Sequence, residues 1–473
     1  MKTLLILPPW YRFFNGELKA FPIGLCYIAG SMEKAGQNVK VYNADFVDGR
    51  ADFIESDITK KQNLYLDILK NNDHPIWSEI LSVLKREKPD IVGVSVMTPK
   101  YGSALNIARI VKEYNKKLPV IFGGIHPTIL PDETLMNKNV DIVVRGEGEK
   151  SMVALVNAME SGNSLDKVMG ISYVLKGKVI HNPDVLYIDN LDNIPFPARH
   201  LLIDRGKYPP DSFGKIFASR GCPYKCTYCA SNMMWTRKVR YMTPERVVDE
   251  IEYVMRNYKA RNFYFEDDSY TIREEFVERI CDLIIERDIN ISWGCETRVN
   301  LINSRMLRKM KEAGCNCINI GVESGDDETL RKINKGVTVR QIEEAVMILR
   351  DNDIMFNAFF MIGFPWETEE KIDKTLNFLK VINPNYAIYS IVTPYPGTEL
   401  FDLCKEKNLL PDDICWDVFN HQSPYMFLSE RYSTEKARKI IERVETVFDE
   451  HNKNARRDFL FSEVTKGIDE DNN

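Results

Sequence analysis

The sequence predicts an α/β protein in three parts: a doubly wound domain, then a (β/α) barrel of TIM type, partial or complete, then a mainly helical C-terminal region. Three observations carry this. Short apolar runs alternate with helical patterns through residues 1–165, and the alternation resumes from 213 to 405. Between them lies a proline-bearing stretch, Asp189–Pro210, with Pro195, Pro197, Pro209 and Pro210, which reads as a linker. After Pro411 the pattern changes to a charged helix, Thr434–Asn452.

In the first part Thr3–Leu7, Asn38–Tyr42, Asp90–Val96, Pro119–Phe122 and Val140–Val144 read as strands, with helices at Ile23–Ala35, Trp77–Arg86 and Tyr101–Tyr114. Apolar strands alternating with helices imply a parallel sheet covered on both faces. Gly170–Leu175 and Lys178–His181, joined at Lys176-Gly177, read as a hairpin inside a 166–212 bridge. In the second part the strands are Lys215–Ser219, Asn262–Glu266, Ile291–Cys295, Cys317–Gly321, Met355–Ile362 and Tyr386–Val392. Helices fall at Thr243–Asn257, Arg273–Glu286, Ser304–Ala313, Val339–Asp351 and Glu369–Val381. Functional residues of such a barrel belong at the C-terminal ends of its strands. The domains expected are 1–165, 166–212 as hairpin and linker, 213–405, and 406–473, with a polar, frayed Ile468–Asn473.

Composition narrows the function classes. With 473 residues, 44% hydrophobic and 28% charged, the chain is an ordinary globular one. A net charge of −6 without a basic block gives no support for nucleic-acid binding. The longest apolar runs, such as Ile91–Met97 and Phe356–Phe364, fall far short of the ~20 residues of a membrane helix. The start, Met1 through Pro9, has no signal-peptide pattern, so a soluble cytoplasmic protein is expected.

Ten cysteines are present, and three of them, Cys222, Cys226 and Cys229, crowd into eight residues. Three thiols so close cannot all pair locally without strain, which favours reduced thiols serving a metal. Cys26, Cys281, Cys295, Cys315, Cys317, Cys404 and Cys415 are scattered and read as core packing. A C-x3-C-x2-C loop can hold three irons of a cubane cluster and leave the fourth iron open for chemistry. A structural zinc site would want a fourth nearby ligand, and His200 and Cys295 form no partner knuckle.

Residues 213–400 resemble the radical S-adenosylmethionine superfamily, whose hallmark is this cysteine spacing with an aromatic residue, here Tyr228, before the third cysteine. The resemblance implies a 4Fe–4S cluster on Cys222, Cys226 and Cys229, with S-adenosylmethionine chelating the open iron. It further implies that Phe265-Glu266-Asp267-Asp268 meets the methionyl ammonium and that Glu296 and Arg298 meet the ribose or carboxylate. Gly321-Val322-Glu323-Ser324-Gly325 and Gly363 follow the next two strands as further cofactor positions. Two plainer readings stay open: a solvated acidic loop for Glu266–Asp268, and a buried Glu323–Arg298 salt bridge.

Residues 1–150 resemble the cobalamin-binding, Rossmann-like domain fused to one branch of that superfamily. The carrying residues are Pro8-Pro9-Trp10, Phe21–Leu25, Gly93 through Ser95 to Thr98, Gly123-Gly124-Ile125-His126-Pro127 and Gly146-Glu147-Gly148-Glu149. The cobalamin positions implied are Pro9, Trp10, Ser95, Thr98, Gly123, Gly124, His126, Gly146 and Glu147. Small residues there let a flat corrin and its nucleotide tail approach the backbone. The D-x-H-x-x-G motif that supplies a histidine ligand to cobalt in other cobalamin domains is missing, so the cofactor is expected base-off, without a His lower ligand. A flavodoxin-like domain that binds no corrin is the alternative.

Together these imply an enzyme that uses a 5′-deoxyadenosyl radical to activate a small-molecule or peptide substrate. A methyl group then passes from methylcobalamin to an unactivated carbon or phosphorus. An external electron donor of flavodoxin or ferredoxin type is required. A ring-forming or ring-rearranging enzyme of the same branch shares the motifs. A cobalamin sensor or carrier would need only the first domain. A methylthiotransferase would show further N-terminal cysteines, where only Cys26 stands.

Overall fold

The computed structural model describes residues 1–14, 21–46 and 56–453. Ile468–Asn473 therefore lies outside the described residues. The chain divides into two compact units. The first comprises Met1–Tyr208, Asn232–Trp235 and Cys415–Phe419. The second comprises Pro209–Ser231, Thr236–Ile414 and the chain from Asn420.

Seven strands build the sheet of the first unit: β1 (Lys2–Leu7), β2 (Asn38–Asn43), β3 (Ile91–Ser95), β4 (Val120–Gly123), β5 (Ile142–Val144), β6 (Ile171–Leu175) and β7 (Lys178–His181). Their order is β2-β1-β3-β4-β5-β6-β7. Pairing is parallel as far as β5 and antiparallel beyond it. Leu4–Ile6, Val92, Val94, Val120–Phe122 and Val143 are buried, which is why these strands read as unbroken apolar runs. The hairpin expected to bridge the domains is instead the antiparallel edge of this sheet, with Val144 opposite Ile171. Between the strands lie α1 (Ile23–Lys34), α2 (Ser56–Lys70), α3 (Pro75–Glu87), α4 (Tyr101–Tyr114), α5 (Ile125–Ile129), α6 (Pro131–Met136) and α7 (Gly148–Glu160). The sequence gives α2 little apolar signal, yet Ile58 and Tyr65 anchor it in the core. The strand order reverses between β1 and β3, so the ligand crevice of this sheet belongs at their carboxyl ends.

The second unit carries six parallel strands in chain order: β8 (Lys215–Ile216), β11 (Asn262–Phe265), β12 (Ser292–Thr297), β13 (Cys315–Glu323), β14 (Met355–Ile362) and β15 (Tyr386–Ile391). Among the described residues β8 does not pair with β15, so the barrel is partial. The strand expected over Lys215–Ser219 is broken in two. Lys215–Ile216 joins the barrel, while β9 (Ser219–Arg220) pairs antiparallel with β10 (Arg240–Tyr241). The helices are α8 (Ser231–Met234), α9 (Pro244–Tyr258), α10 (Glu274–Glu286), α11 (Ser304–Glu312), α12 (Asp327–Lys332), α13 (Val339–Asp351), α14 (Glu369–Ile382), α15 (Glu399–Glu406) and α16 (Thr434–Asn452).

Strand alternation sorts the second sheet into two faces. Phe263, Phe265, Trp293 and Cys295 are buried in an aromatic core, with Phe265 and Trp293 edge-to-face at 5.2 Å. Tyr264, Glu266, Glu296, Asn319 and Asn357 form a polar ladder on the other face. Tyr264 Oη donates to Glu296 Oε1 (3.2 Å) and accepts from Asn319 Nδ2 (2.6 Å). Asn357 Nδ2 donates to Asn319 Oδ1 (2.9 Å). Gly294 makes room for this, because a Cβ there would lie 3.4 Å from the Tyr264 ring and 3.0 Å from the Cys317 carbonyl.

Candidate active site: the cysteine loop and the sheet edges

The cysteine loop leaves β9 through Gly221, whose φ of +104° suits only glycine. A Cβ there would press on the Thr236 and Lys238 carbonyls. Cys222 and Cys226 are half-buried and Cys229 is exposed. The loop is held from three directions. Thr227 N–H donates to the Ile333 carbonyl (3.0 Å), and Asn334 Nδ2 donates to the Lys225 carbonyl (2.8 Å). Leu400 N–H donates to the Thr227 carbonyl (3.0 Å).

The strongest hold is electrostatic. Tyr228 Oη donates to Glu323 Oε1 (2.9 Å), and Lys335 Nζ pairs with the same oxygen at 2.5 Å. Both charged side chains are buried. Glu323 ends β13 at a register shift and takes a φ of +63°, a strained conformation for a non-glycine residue. Gly321 leaves the space, since a Cβ there would lie 2.5 Å from Lys335 Nζ and 2.6 Å from the Glu323 carboxylate. The Glu323 partner is thus Lys335 rather than Arg298. Arg298 turns to the loop: Nη1 donates to Cys226 Sγ (3.3 Å), Nη2 bonds the Lys335 carbonyl, and the guanidinium lies 3.7 Å over the Tyr224 ring.

The acidic run after β11 splits by strand alternation. Glu266, half-buried, pairs with Lys215 and faces the polar ladder. Burial, then the neighbouring Glu266 charge, pushes the Glu296 carboxyl up to about 7. Asp267 points the other way and is only 2% exposed. Its oxygens accept from Ala218 N–H (3.0 Å) and Ser219 Oγ (2.5 Å), so it clamps the step between β8 and β9. Burial pushes Asp267 up to about 7. Asp268 is exposed and accepts from Ser231 Oγ at 2.7 Å. Ser324 is buried against Thr375 Oγ1 (3.2 Å), a packing position rather than an open one. Gly363 (φ +94°) donates its N–H to Glu367 Oε2 (2.7 Å), and the Phe427 ring fills the space a Cβ would take.

In the first unit the predicted residues gather at the carboxyl ends of β1, β3, β4 and β5. Ser95, Gly123, Gly124 and Gly146 are half-buried there, and Met97 is an exposed apolar side chain beside them. Gly124 has a φ of +102°, and a Cβ on it would meet the Val96 carbonyl at 2.8 Å. Other predicted residues turn inward. The Pro9 carbonyl accepts from Ser103 Oγ (2.8 Å), and Trp10 N–H donates to Asp45 Oδ1 (2.7 Å). Asp45 is itself paired with buried Lys100 (3.0 Å). Glu147 Oε2 accepts from Ile188 N–H (2.8 Å). His126 is fully enclosed, with Nδ1 3.3 Å from Thr98 Oγ1 and its ring against Tyr101 and Trp416. Its Nε2 has no hydrogen-bond partner, and burial lowers its pKa to about 4. Trp416 belongs to this unit because Asp417 accepts from Gly102 N–H (2.8 Å) at the start of α4, and Trp416 Nε1 bonds Glu133.

The donor chemistry fits the groups the motifs imply. Three thiols on one loop, with a guanidinium N–H already on Cys226 Sγ, suit an anionic iron–sulfur cluster with one iron free of protein. Among the described residues no three His, Cys, Asp or Glu side chains are converged as a ready metal site, so the thiols share the loop without meeting at one point. The glycine-bordered edge of β3, β4 and β5 suits a flat apolar ligand, and among the described residues no imidazole is exposed on it. Lys335, Tyr224, Lys215 and Glu367 escaped the sequence reading. Only Lys335 left a trace, as a charged residue between apolar Ile333 and Val337 in a loop.

Two outcomes follow from this geometry. Lys335→Met strands the buried Glu323 charge and should cost ~3–5 kcal/mol in urea unfolding, while Lys335→Met/Glu323→Gln should recover most of it. A cost below ~1 kcal/mol in the single variant would contradict the buried pair. Asp267, held near pH 7 against the ordinary carboxyl value of 3.8, keeps a proton in the folded state that the unfolded chain releases. That contribution to stability is lost as pH rises from about 4 to 7. The difference in Tm between Asp267→Asn and wild type should therefore move in favour of the variant from pH 5 to pH 8, and a constant difference would contradict the assignment.

Comparison with known proteins agrees with both units. The Radical SAM superfamily profile matches residues 216–379, and the B12 binding domain profile matches residues 14–156. An uncharacterised methyltransferase of Pyrococcus horikoshii is 33% identical over 445 residues, covering 93% of this chain and 91% of its own. An anaerobic magnesium-protoporphyrin IX monomethyl ester cyclase of Rubrivivax gelatinosus is 33% identical over 351 residues, 72% of this chain and 62% of the cyclase. The fold is similar to that of the radical S-adenosylmethionine methyltransferase TsrM from Kitasatospora setae, with a TM-score of 0.70 at 15% identity over 96% of this chain and 90% of that one. The chain belongs to the radical S-adenosylmethionine superfamily, in the branch of enzymes that carry an N-terminal B12-binding domain.

Proposed function

We propose that this enzyme is a cobalamin-dependent methyltransferase acting on an unactivated carbon or phosphorus centre of a small molecule or peptide. The observation that carries the reading is the cysteine loop, with three thiols and the Arg298 guanidinium on Cys226 Sγ, in a chain that also has a glycine-bordered B12-binding edge. When bound, the cluster supplies the electron that opens S-adenosylmethionine, and cobalamin supplies the methyl carrier.

The chain's own residues do the rest. Cys222, Cys226 and Cys229 would hold the cluster, and Arg298, already on Cys226 Sγ, would offset the negative charge of the thiolates. Tyr228, Glu323 and Lys335 fix the height of the loop above the strand ends. Glu266 and Glu296 offer carboxylates to the methionyl ammonium, while Gly363, with its N–H on Glu367 and Phe427 against it, serves to shape the strand end. Ser95, Gly123, Gly124 and Gly146 would hold the corrin and its tail, and the exposed Met97 would add an apolar contact beside them. The enclosed His126 ring supports a cobalamin without a histidine lower ligand.

Ring formation is the second reading, favoured by the 33% identity to the cyclase. Labelled S-adenosylmethionine separates the two. Methyl transfer predicts one 5′-deoxyadenosine and one S-adenosylhomocysteine per product, with the product heavier by one CH2. Product formed with 5′-deoxyadenosine while S-adenosylhomocysteine stays at background would overturn the methyltransferase reading.

A further inference from the structure

Arg298 is a buried cation without a carboxylate. It is only 6% exposed, and among the described residues no carboxylate lies within ion-pair distance of it. Two other buried cations are matched: Lys335 meets Glu323 at 2.5 Å and Lys100 meets Asp45 at 3.0 Å. Taking a charge out of water is costly unless a counter-charge meets it. The guanidinium is held instead by uncharged groups and a thiol. Nη1 donates to Cys226 Sγ (3.3 Å), Nε to Asn300 Oδ1 (3.3 Å) and Nη2 to the Lys335 carbonyl. The Tyr224 ring lies 3.7 Å from its centre and fixes its plane. Three of the five N–H groups of an arginine are therefore committed to the protein before any cofactor arrives.

Within this shell the Cys226 sulfur is the group that turns anionic when it ligates iron. A cubane held by three thiolates is itself an anion, and its negative charge grows by one when it is reduced. A hydrogen bond on a ligand sulfur and a fixed positive charge beside it both favour the reduced form, which raises the reduction potential. Solvent screens such a charge little when it is buried. The exposed Lys225, next to Cys226 in sequence, carries the same charge in water and should act far more weakly. Sequence resemblance gives Arg298 to the ribose or carboxylate of S-adenosylmethionine, whereas its contacts run to the cysteine loop.

We propose that Arg298 is the buried counter-charge of the cluster and raises its reduction potential through Cys226 Sγ, rather than gripping the carboxylate of S-adenosylmethionine. The inference deepens the proposed function and rests on its cluster assignment. The redox step is a one-electron addition to the cluster, with dithionite as the reductant, and no bond forms or breaks. The Lys335 carbonyl fixes the guanidinium on the sulfur, so the charge and its direction are both built in.

The test uses the anaerobically reconstituted full chain with Arg298→Gln, Arg298→Lys and Lys225→Gln. The midpoint potential is read from the electron paramagnetic resonance signal of the reduced cluster during a dithionite titration. Kd for S-adenosylmethionine is read from the change it makes in that signal. Arg298→Gln should make the cluster about tenfold or more harder to reduce, a downward shift of about 59 mV or more for one electron. Arg298→Lys keeps the charge without the planar fork and should fall between Arg298→Gln and wild type. Lys225→Gln should stay within about twofold of wild type, and Kd within about threefold in every variant. An unmoved potential in Arg298→Gln, an equal shift in Lys225→Gln, or a tenfold loss of S-adenosylmethionine affinity at unchanged potential would each overturn the inference. If Arg298→Gln takes up no cluster, Arg298→Lys decides in the same way. Failure of both to take up a cluster would mean that Arg298 holds the loop instead of tuning it, which also overturns the inference. A wild type that takes up no cluster overturns the proposed function as well, while a loaded wild type with an unmoved variant potential overturns this inference alone.

Discussion

The Lys335–Glu323 ion pair, shared with the Tyr228 hydroxyl and seated over Gly321, is the contact on which the cysteine loop depends. Removing two charges from water is costly, and their attraction repays it only when both are well paired. That requirement makes the arrangement specific. Lys335 must come from the loop between α12 and α13, Glu323 must turn to a positive φ at the end of β13, and residue 321 must lack a side chain. The same loop supplies Ile333 and Asn334 to the cysteine-loop backbone. One short segment thus sets both the position of the loop and, through the Lys335 carbonyl, the orientation of Arg298.

The polar face of the barrel follows a related logic. Tyr264, Asn319 and Asn357 satisfy one another in a chain of hydrogen bonds, leaving the Glu266 and Glu296 carboxylates as the groups with charge to offer. Lys215 pairs with Glu266, and burial with the like-charged Glu266 pushes the Glu296 carboxyl up to about 7. A site of this kind welcomes a cationic group, because an ammonium would take the place of a proton.

The sheets were legible because strands buried on both faces must be apolar throughout, and helices packed on them must be amphipathic. The cysteine loop was legible because three thiols at that spacing serve few other purposes. What escaped was set by non-local geometry. The 171–181 hairpin carries its own turn signal at Lys176-Gly177, but nothing local says that its other edge pairs with β5. Glu266 and Asp267 are equal as letters, and only strand alternation sends one to the polar ladder and the other into the core. His126 sits in a glycine turn that suggests exposure, yet α5 starts at once after Gly124 and folds its ring inward. Trp416 lies far along the chain from the first sheet, and the Asp417–Gly102 bond that places it there spans 315 positions. Lys335 is one lysine among many until Gly321 and Glu323 are seen beside it.

Iron content tests the central claim most directly. Anaerobically reconstituted wild type should hold about four irons and four sulfides per chain, and Cys222→Ala/Cys226→Ala/Cys229→Ala should hold none while keeping its fold and its cobalamin binding. Retention of about four irons by the triple variant would contradict the account.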